Sequence, residues 1–182
     1  MTENRGTAQQ RRAQAVAAGL EAFADHGLTT AAIQQVARRI GVSQPYVFRL
    51  FGSKQAFFLT CLDEFEARVV ETFTQAAPSI ADEPMEQMGA AFRSLVADGV
   101  TSGLWWQACA TARADEAVAH RCRTLISNVL GSTQNLTGAN TDELAAFLGR
   151  GVLVLMLQGL GVDLREGSRA AVAALREAGD AS

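Results

Sequence analysis

Residues 40–54 read Ile40-Gly41-Val42-Ser43-Gln44-Pro45-Tyr46-Val47-Phe48-Arg49-Leu50-Phe51-Gly52-Ser53-Lys54, a run of aromatics and cations held between two Gly/Ser punctuation marks. Gly41 is placed to stop one helix. Ser43 is placed to cap the next, with Pro45 tolerated in its first turn, where amide donors lack intrahelical partners. Gly52 closes that helix and Ser53 caps another. On a helix advancing about 100° per residue, Val47, Leu50 and Phe51 gather on one side, while Pro45 and Arg49 point away, flanked by Gln44, Tyr46 and Phe48. Two short helices meeting at a glycine-containing turn form a helix-turn-helix pattern, whose second helix can enter a major groove. An outward Gln/Pro/Tyr/Phe/Arg face without an acid suits base edges and phosphates. The alternative is that Tyr46 and Phe48 only pack against neighbouring helices.

The flanks extend the pattern. Ile33, Val36, Ala37 and Ile40 recur at helical spacing, with Thr30 as the expected N-cap of that helix. Val16, Leu20, Phe23 and Ala24 line a first helix running from about Thr7 to Gly27, after a disordered arm over residues 1–6. Downstream, Phe57, Cys61, Leu62, Phe65, Val69 and Phe73 form one stripe of a fourth helix, from Lys54 to about Gln75. The clearest break is 77–84, bounded by Pro78 and Pro84. Beyond it, helices are expected near 84–99, 103–112, 115–136, 141–162 and 165–178. No run alternates apolar and polar residues, so the chain is expected to be all-α.

Charge is distributed unevenly. Residues 1–60 carry seven cations against three acids, a net +4, whereas residues 61–182 carry nine against sixteen, a net −7. A basic head on an acidic body points to a nucleic-acid-facing part carried by one that avoids nucleic acid. With 182 residues, 48% of them apolar, the chain can bury a substantial core. Cys61, Cys109 and Cys122 have no C-x-x-C spacing, so neither a disulfide framework nor a metal site is suggested. The polar N-terminal residues lack the apolar stretch of a secretory signal. The apolar run 151–162 is too short to span a bilayer, which takes about 20 residues, and reads as a buried helix. A cytoplasmic setting with no membrane partner is expected.

At Thr29–Phe58, "TTAAIQQVARRIGVSQPYVFRLFGSKQAFF", the chain resembles the DNA-binding segment of the tetracycline-repressor-like (TetR) family of bacterial transcriptional regulators. The likeness extends over roughly residues 7–62, including "LEAFADHGL" at 20–28. It implies an N-terminal three-helix DNA-binding domain over residues 1–53, joined through the fourth helix to a helical regulatory and dimerisation domain over 54–182. It places Ser43, Gln44, Pro45 and Tyr46 at the groove-facing start of the recognition helix, Arg49 and Lys54 on phosphates, and Thr30 near a phosphate. Phe48 stands where family members commonly have Tyr, so a phosphate-bonding hydroxyl is absent there, and Tyr46 could replace it or read a thymine methyl. The implied partners are double-stranded operator DNA, a second copy of the chain and a small-molecule effector of unknown identity. The implied activity is that of a repressor released by its effector.

The body offers composition instead of motif. Trp105, Trp106 and Cys109, with Met88, Phe92 and Leu95 in the preceding helix and His120 beyond, could line an apolar cleft; the alternative is plain core. Gly149, Val152, Met156 and Gly159 are the candidate dimer contacts, since glycines there permit close helix approach and weaken an isolated helix by about 1 kcal/mol each. His26 and His120 lie apart from each other and from any metal-ligand spacing. Asp115-Glu116 and Asp142-Glu143 stand where helix first turns favour acids. No phosphate loop or nucleophile motif appears, so neither an enzyme nor a cofactor is expected. The alternative from another class is a small-molecule-binding helical bundle or enzyme whose basic head is incidental.

Overall fold

The computed structural model describes residues 3–77 and 84–180. These form α1 (Glu3–His26), α2 (Thr30–Arg39), α3 (Gln44–Phe51), α4 (Lys54–Ala76), α5 (Pro84–Val96), α6 (Val100–Ala112), α7 (Glu116–Thr137), α8 (Thr141–Gly159) and α9 (Ser168–Asp180), with no strand among the described residues. The all-α architecture is therefore the one that the apolar stripes dictate. The boundaries moved where local chemistry outbids periodicity. The first helix begins at Glu3 instead of Thr7, because residues 3–6 hold no proline and Gly6 weakens a helix without ending it, and Met1 and Thr2 lie outside the described residues. Most of the proline-bounded break, residues 78–83, also lies outside them. Helix α6 starts at Val100, earlier than expected, since the Asp98 carboxylate accepts a hydrogen bond from the Val100 amide at 3.0 Å. Helix α8 ends at Gly159, where Gly161 (φ 72°) takes the left-handed conformation and the Val162 and Gly161 amides bond back to Leu157 and Gln158. Gly161 therefore makes the turn that ends the helix.

The packing divides the chain into two compact units, Met1–Glu66 with Gly103–Leu125, and Ala67–Ser102 with Ile126–Ser182. Helices α4, α6 and α7 contribute to both. This division follows packing; the division of roles expected at residues 53 and 54 is a separate matter.

In the first unit, Phe23 meets Phe57 and Phe58 edge-on, both at 5.1 Å between ring centroids, and all three rings are fully buried. Such pairs add about 0.5–1.5 kcal/mol beyond the area they bury. α1 can approach α4 this closely because it presents Gly19: a Cβ there would lie 2.7 Å from Phe57 Cζ and 2.8 Å from Cys61 Sγ. Gly19→Val is expected to destabilise the chain by about 1–3 kcal/mol through overpacking. Denaturant unfolding checks this, and an unchanged midpoint would mean that the two helices have slack.

In the second unit, Phe73 packs against Phe147 (5.4 Å) and Phe92 (6.0 Å). Helix α8 is not buried all round, as the apolar run 151–162 suggested. Val154, Leu155 and Leu157 are buried, but Val152 (40%), Met156 (43%) and Leu160 (70%) are exposed. Only one face of α8 meets its neighbours α5 and α9, and the apolar residues on the other face stay exposed. No helix among the described residues is long and apolar enough to cross a membrane.

Candidate nucleic-acid interface

The turn between α2 and α3 is built by the backbone. Gly41 has φ 68°, and the Val42 and Gly41 amides donate to the Ala37 and Arg38 carbonyls at 2.9 and 3.3 Å. These two hydrogen bonds back into the last turn need a left-handed residue at Gly41, which a side chain would strain. Val42 and Ser43 then set the direction of α3. Ser43 occupies the N-cap with extended backbone, but its hydroxyl does not bond the helix amides as expected. The reason is local. Pro45 removes one of the two amides an N-cap oxygen can reach, and only the Ser43 carbonyl is engaged, by Tyr46 at 3.0 Å and Val47 at 3.3 Å. Ser43 itself is exposed.

The faces of α3 separate as its period requires. Val47 and Phe51 are buried, Phe51 stacking on Phe57 at 3.9 Å, and Leu50 is half-buried. Pro45 and Arg49 are exposed, Gln44 and Tyr46 half-buried. Phe48 is 38% exposed, so its ring is not simply core. The Arg49 guanidinium lies 4.7 Å from the centroid of the Tyr46 ring, one turn back, so the two side chains form one cationic, aromatic surface.

At the entry to α2, the N-cap is Thr29 and not Thr30. Thr29 has the extended backbone that a cap requires (φ −116°, ψ 167°), and its Oγ1 accepts from the Ala32 amide at 3.4 Å. Thr30 is already helical and exposed. Thr29→Ala is accordingly expected to cost about 1 kcal/mol of stability, and Thr30→Ala under about 0.5 kcal/mol, as thermal unfolding would show. Lys54 opens α4 behind Ser53, whose hydroxyl accepts from the Ala56 amide at 3.0 Å.

Several cations of the basic head serve the protein itself. Arg11 and Arg12 of α1 donate to the Ile40 and Leu50 carbonyls at 3.3 and 2.6 Å. Arg39 forms a two-pronged pair with Glu21 that raises its pKa through that hydrogen bond and charge. Arg38 and Arg49 are exposed. No local signal announces the Arg11 and Arg12 contacts, which span 29 and 38 residues of sequence.

The residues expected around an effector fall into both units. Met88 and Phe92 are buried and Leu95 half-buried in the second. Trp105 (buried, 6.1 Å from Phe65), Trp106 (38% exposed), Cys109 (half-buried) and His120 (exposed) belong to the first. Burial pushes the Cys109 and Cys122 thiols above their ordinary range, so neither is poised as a thiolate. Among the dimer candidates, Gly149, Val152, Met156 and Gly159 are all exposed, and α9, packed on α8, adds the exposed Val172 and Leu175. One acid of each pair caps a helix: Asp115 accepts from the Val118 amide at 3.1 Å, and Glu143 accepts from the Asn140 amide at 2.8 Å in a capping box at the start of α8.

Residues 15–61 match a family model described as bacterial regulatory proteins, tetR family. The HTH-type transcriptional activator FasR of Mycolicibacterium smegmatis is 33% identical over 79 residues, 43% of this chain and 36% of that protein. An uncharacterised HTH-type transcriptional regulator of Mycobacterium tuberculosis is 31% identical over 130 residues, 69% of this chain and 65% of that protein. The chain thus spans less than two thirds of either relative. The crystal structure of a TetR-like transcriptional regulator from Rhodococcus sp. RHA1 superposes with a TM-score of 0.69 at 18% identity, covering 94% of this chain and 96% of that one.

Proposed function

The chain belongs to the tetR family of bacterial regulatory proteins, and on that premise we propose that it is a transcriptional regulator that binds operator DNA as a homodimer through α3 and is released by a small apolar or aromatic effector. The observation that carries this reading is the leftover face of α3: Ser43, Pro45, Phe48 and Arg49 exposed, Gln44 and Tyr46 beside them, and no acid among them. Gln44 and Tyr46 read base edges, while Arg49 and Lys54 hold phosphates, Lys54 with the positive end of α4 behind it. In this division residues 1–53 read DNA, and residues 54–182 dimerise and respond to the effector. The dimer sets its two α3 helices to successive major grooves, about 34–36 Å apart. Effector binding shifts the population to a spacing that no longer fits.

The test is a gel shift with the chain's own upstream DNA, repeated with apolar and aromatic compounds. The effector should release the duplex and quench tryptophan emission, since both indoles lie on α6. Trp105 is buried and Trp106 partly exposed, so Trp105→Phe and Trp106→Phe should alter the response unequally. Met88, Phe92 and Leu95 are probed separately by alanine variants. Equal silence from both tryptophan variants would remove the α6 site from the account. FasR is named an activator, so a reporter fusion decides the sign: in a deletion strain, transcription should rise if this chain represses and fall if it activates.

A further inference from the structure

Arg11 and Arg12 are neighbours on α1, yet they end on different helices. Arg11 Nη1 donates to the Ile40 carbonyl, at the close of α2, at 3.3 Å. Arg12 Nη1 donates to the Leu50 carbonyl, in the last turn of α3, at 2.6 Å. The Arg12 guanidinium also lies 4.4 Å from the centroid of the Phe51 ring, which stacks on Phe57 of α4 at 3.9 Å. One side chain thus holds the end of α3 by its backbone and by its last aromatic residue.

Helix α3 has only eight residues, too few to be stable alone, and the carbonyls of its last turn have no partners within the helix. A cation at that end complements the helix dipole. A guanidinium can donate in its own plane and stack on a ring through its face at once, which an ammonium cannot do. We propose that Arg11 and Arg12 are positioning residues, fixing the ends of α2 and α3 from α1, and are not phosphate contacts despite their charge. The inference rests on the reading of α3 as the DNA-reading helix, but its first consequence, a tethered last turn, can be measured without DNA.

The experiment uses the full chain with Arg12→Met and Arg12→Lys, and with Lys54→Ala as the control for phosphate contact. Amide hydrogen exchange at Leu50–Gly52 should rise about tenfold in Arg12→Met, and by a similar factor in Arg12→Lys, which keeps the charge but loses the planar stack. Affinity for the chain's own upstream duplex should fall about tenfold in both, while affinity for a scrambled duplex and the slope of log K against log salt stay at the wild-type values. Lys54→Ala should instead lower that slope by about 0.9 for each phosphate lost and weaken both duplexes alike. If Arg12→Lys matches the wild type while Arg12→Met loses slope and affinity on every duplex, Arg12 is a phosphate contact and the inference is overturned. Should Arg12→Met fail to fold, Arg12→Lys decides alone. Should the wild type bind no duplex, the DNA-reading assignment has failed, and the exchange measurement still decides the tether: unchanged exchange overturns it.

Discussion

A Met156→Arg chain should sediment as a monomer at micromolar concentration and lose operator affinity by about 10²–10⁴-fold, the avidity that two linked reading heads supply. Met156 is 43% exposed in the single chain, and Gly149, Val152 and Gly159 share its face of α8 at helical spacing. Exposed Val172 and Leu175 add apolar surface on α9, which packs on α8. In the proposed homodimer this exposed apolar face is the contact between the two copies. An arginine at its centre must either remain hydrated, which keeps two copies apart, or be buried without a partner, at a cost of several kcal/mol. Met156 is not core, so the helix content of the variant should match the wild type. A Met156→Arg chain that stays dimeric would move the interface to another surface.

The second large effect concerns the reading face. Gln44→Ala and Tyr46→Ala should each remove about 1–3 kcal/mol of preference for the operator over a scrambled duplex, because in the proposed complex they read base edges. Tyr46→Ala also frees Arg49 from the aromatic ring 4.7 Å away, so part of its loss should appear as weaker binding to every duplex. Lys54→Ala should weaken operator and scrambled duplex by the same factor. Anisotropy titrations of the three variants against both duplexes separate these outcomes. A uniform loss from all three would mean that the base and phosphate contacts are misassigned.

Local chemistry made much of the head legible. Ile33, Val36 and Ala37 of α2 and the long stripe of α4 are buried where periodicity placed them, with Ile40 half-buried at the cap, because a helix with one apolar face has one way to pack. Gly27, Gly41 and Gly52 end helices with φ of 61°, 68° and 83°, a conformation that the sequence announces by residue type. Adjacent threonines hid the cap of α2: either hydroxyl could serve, and backbone conformation chose Thr29. The exposed face of α8 was hidden by composition, since an apolar run does not show which of its sides meets the core. Least legible were contacts between distant segments. Arg12 to Leu50, Gln55 to Asp115 (2.6 Å) and Arg121 to Asp63 (2.6 Å) and Glu66 (2.8 Å) each join residues far apart in sequence, with no spacing rule to predict them. Apolar side chains with a polar group or two among them line cores and clefts alike, so Met88, Phe92, Leu95, Trp105, Trp106, Cys109 and His120 carry no sequence pattern that separates the two.

The most direct test of the central claim is the salt dependence of duplex binding by the unmodified chain. Two heads neutralising several phosphates each should make log K fall linearly with log salt, with a loss of about 10³–10⁵ in affinity between about 50 and 200 mM for 6–10 contacts. The upstream duplex should remain preferred over a scrambled one throughout. No binding to either duplex at about 50 mM salt, or binding that is indifferent to salt, would contradict the account.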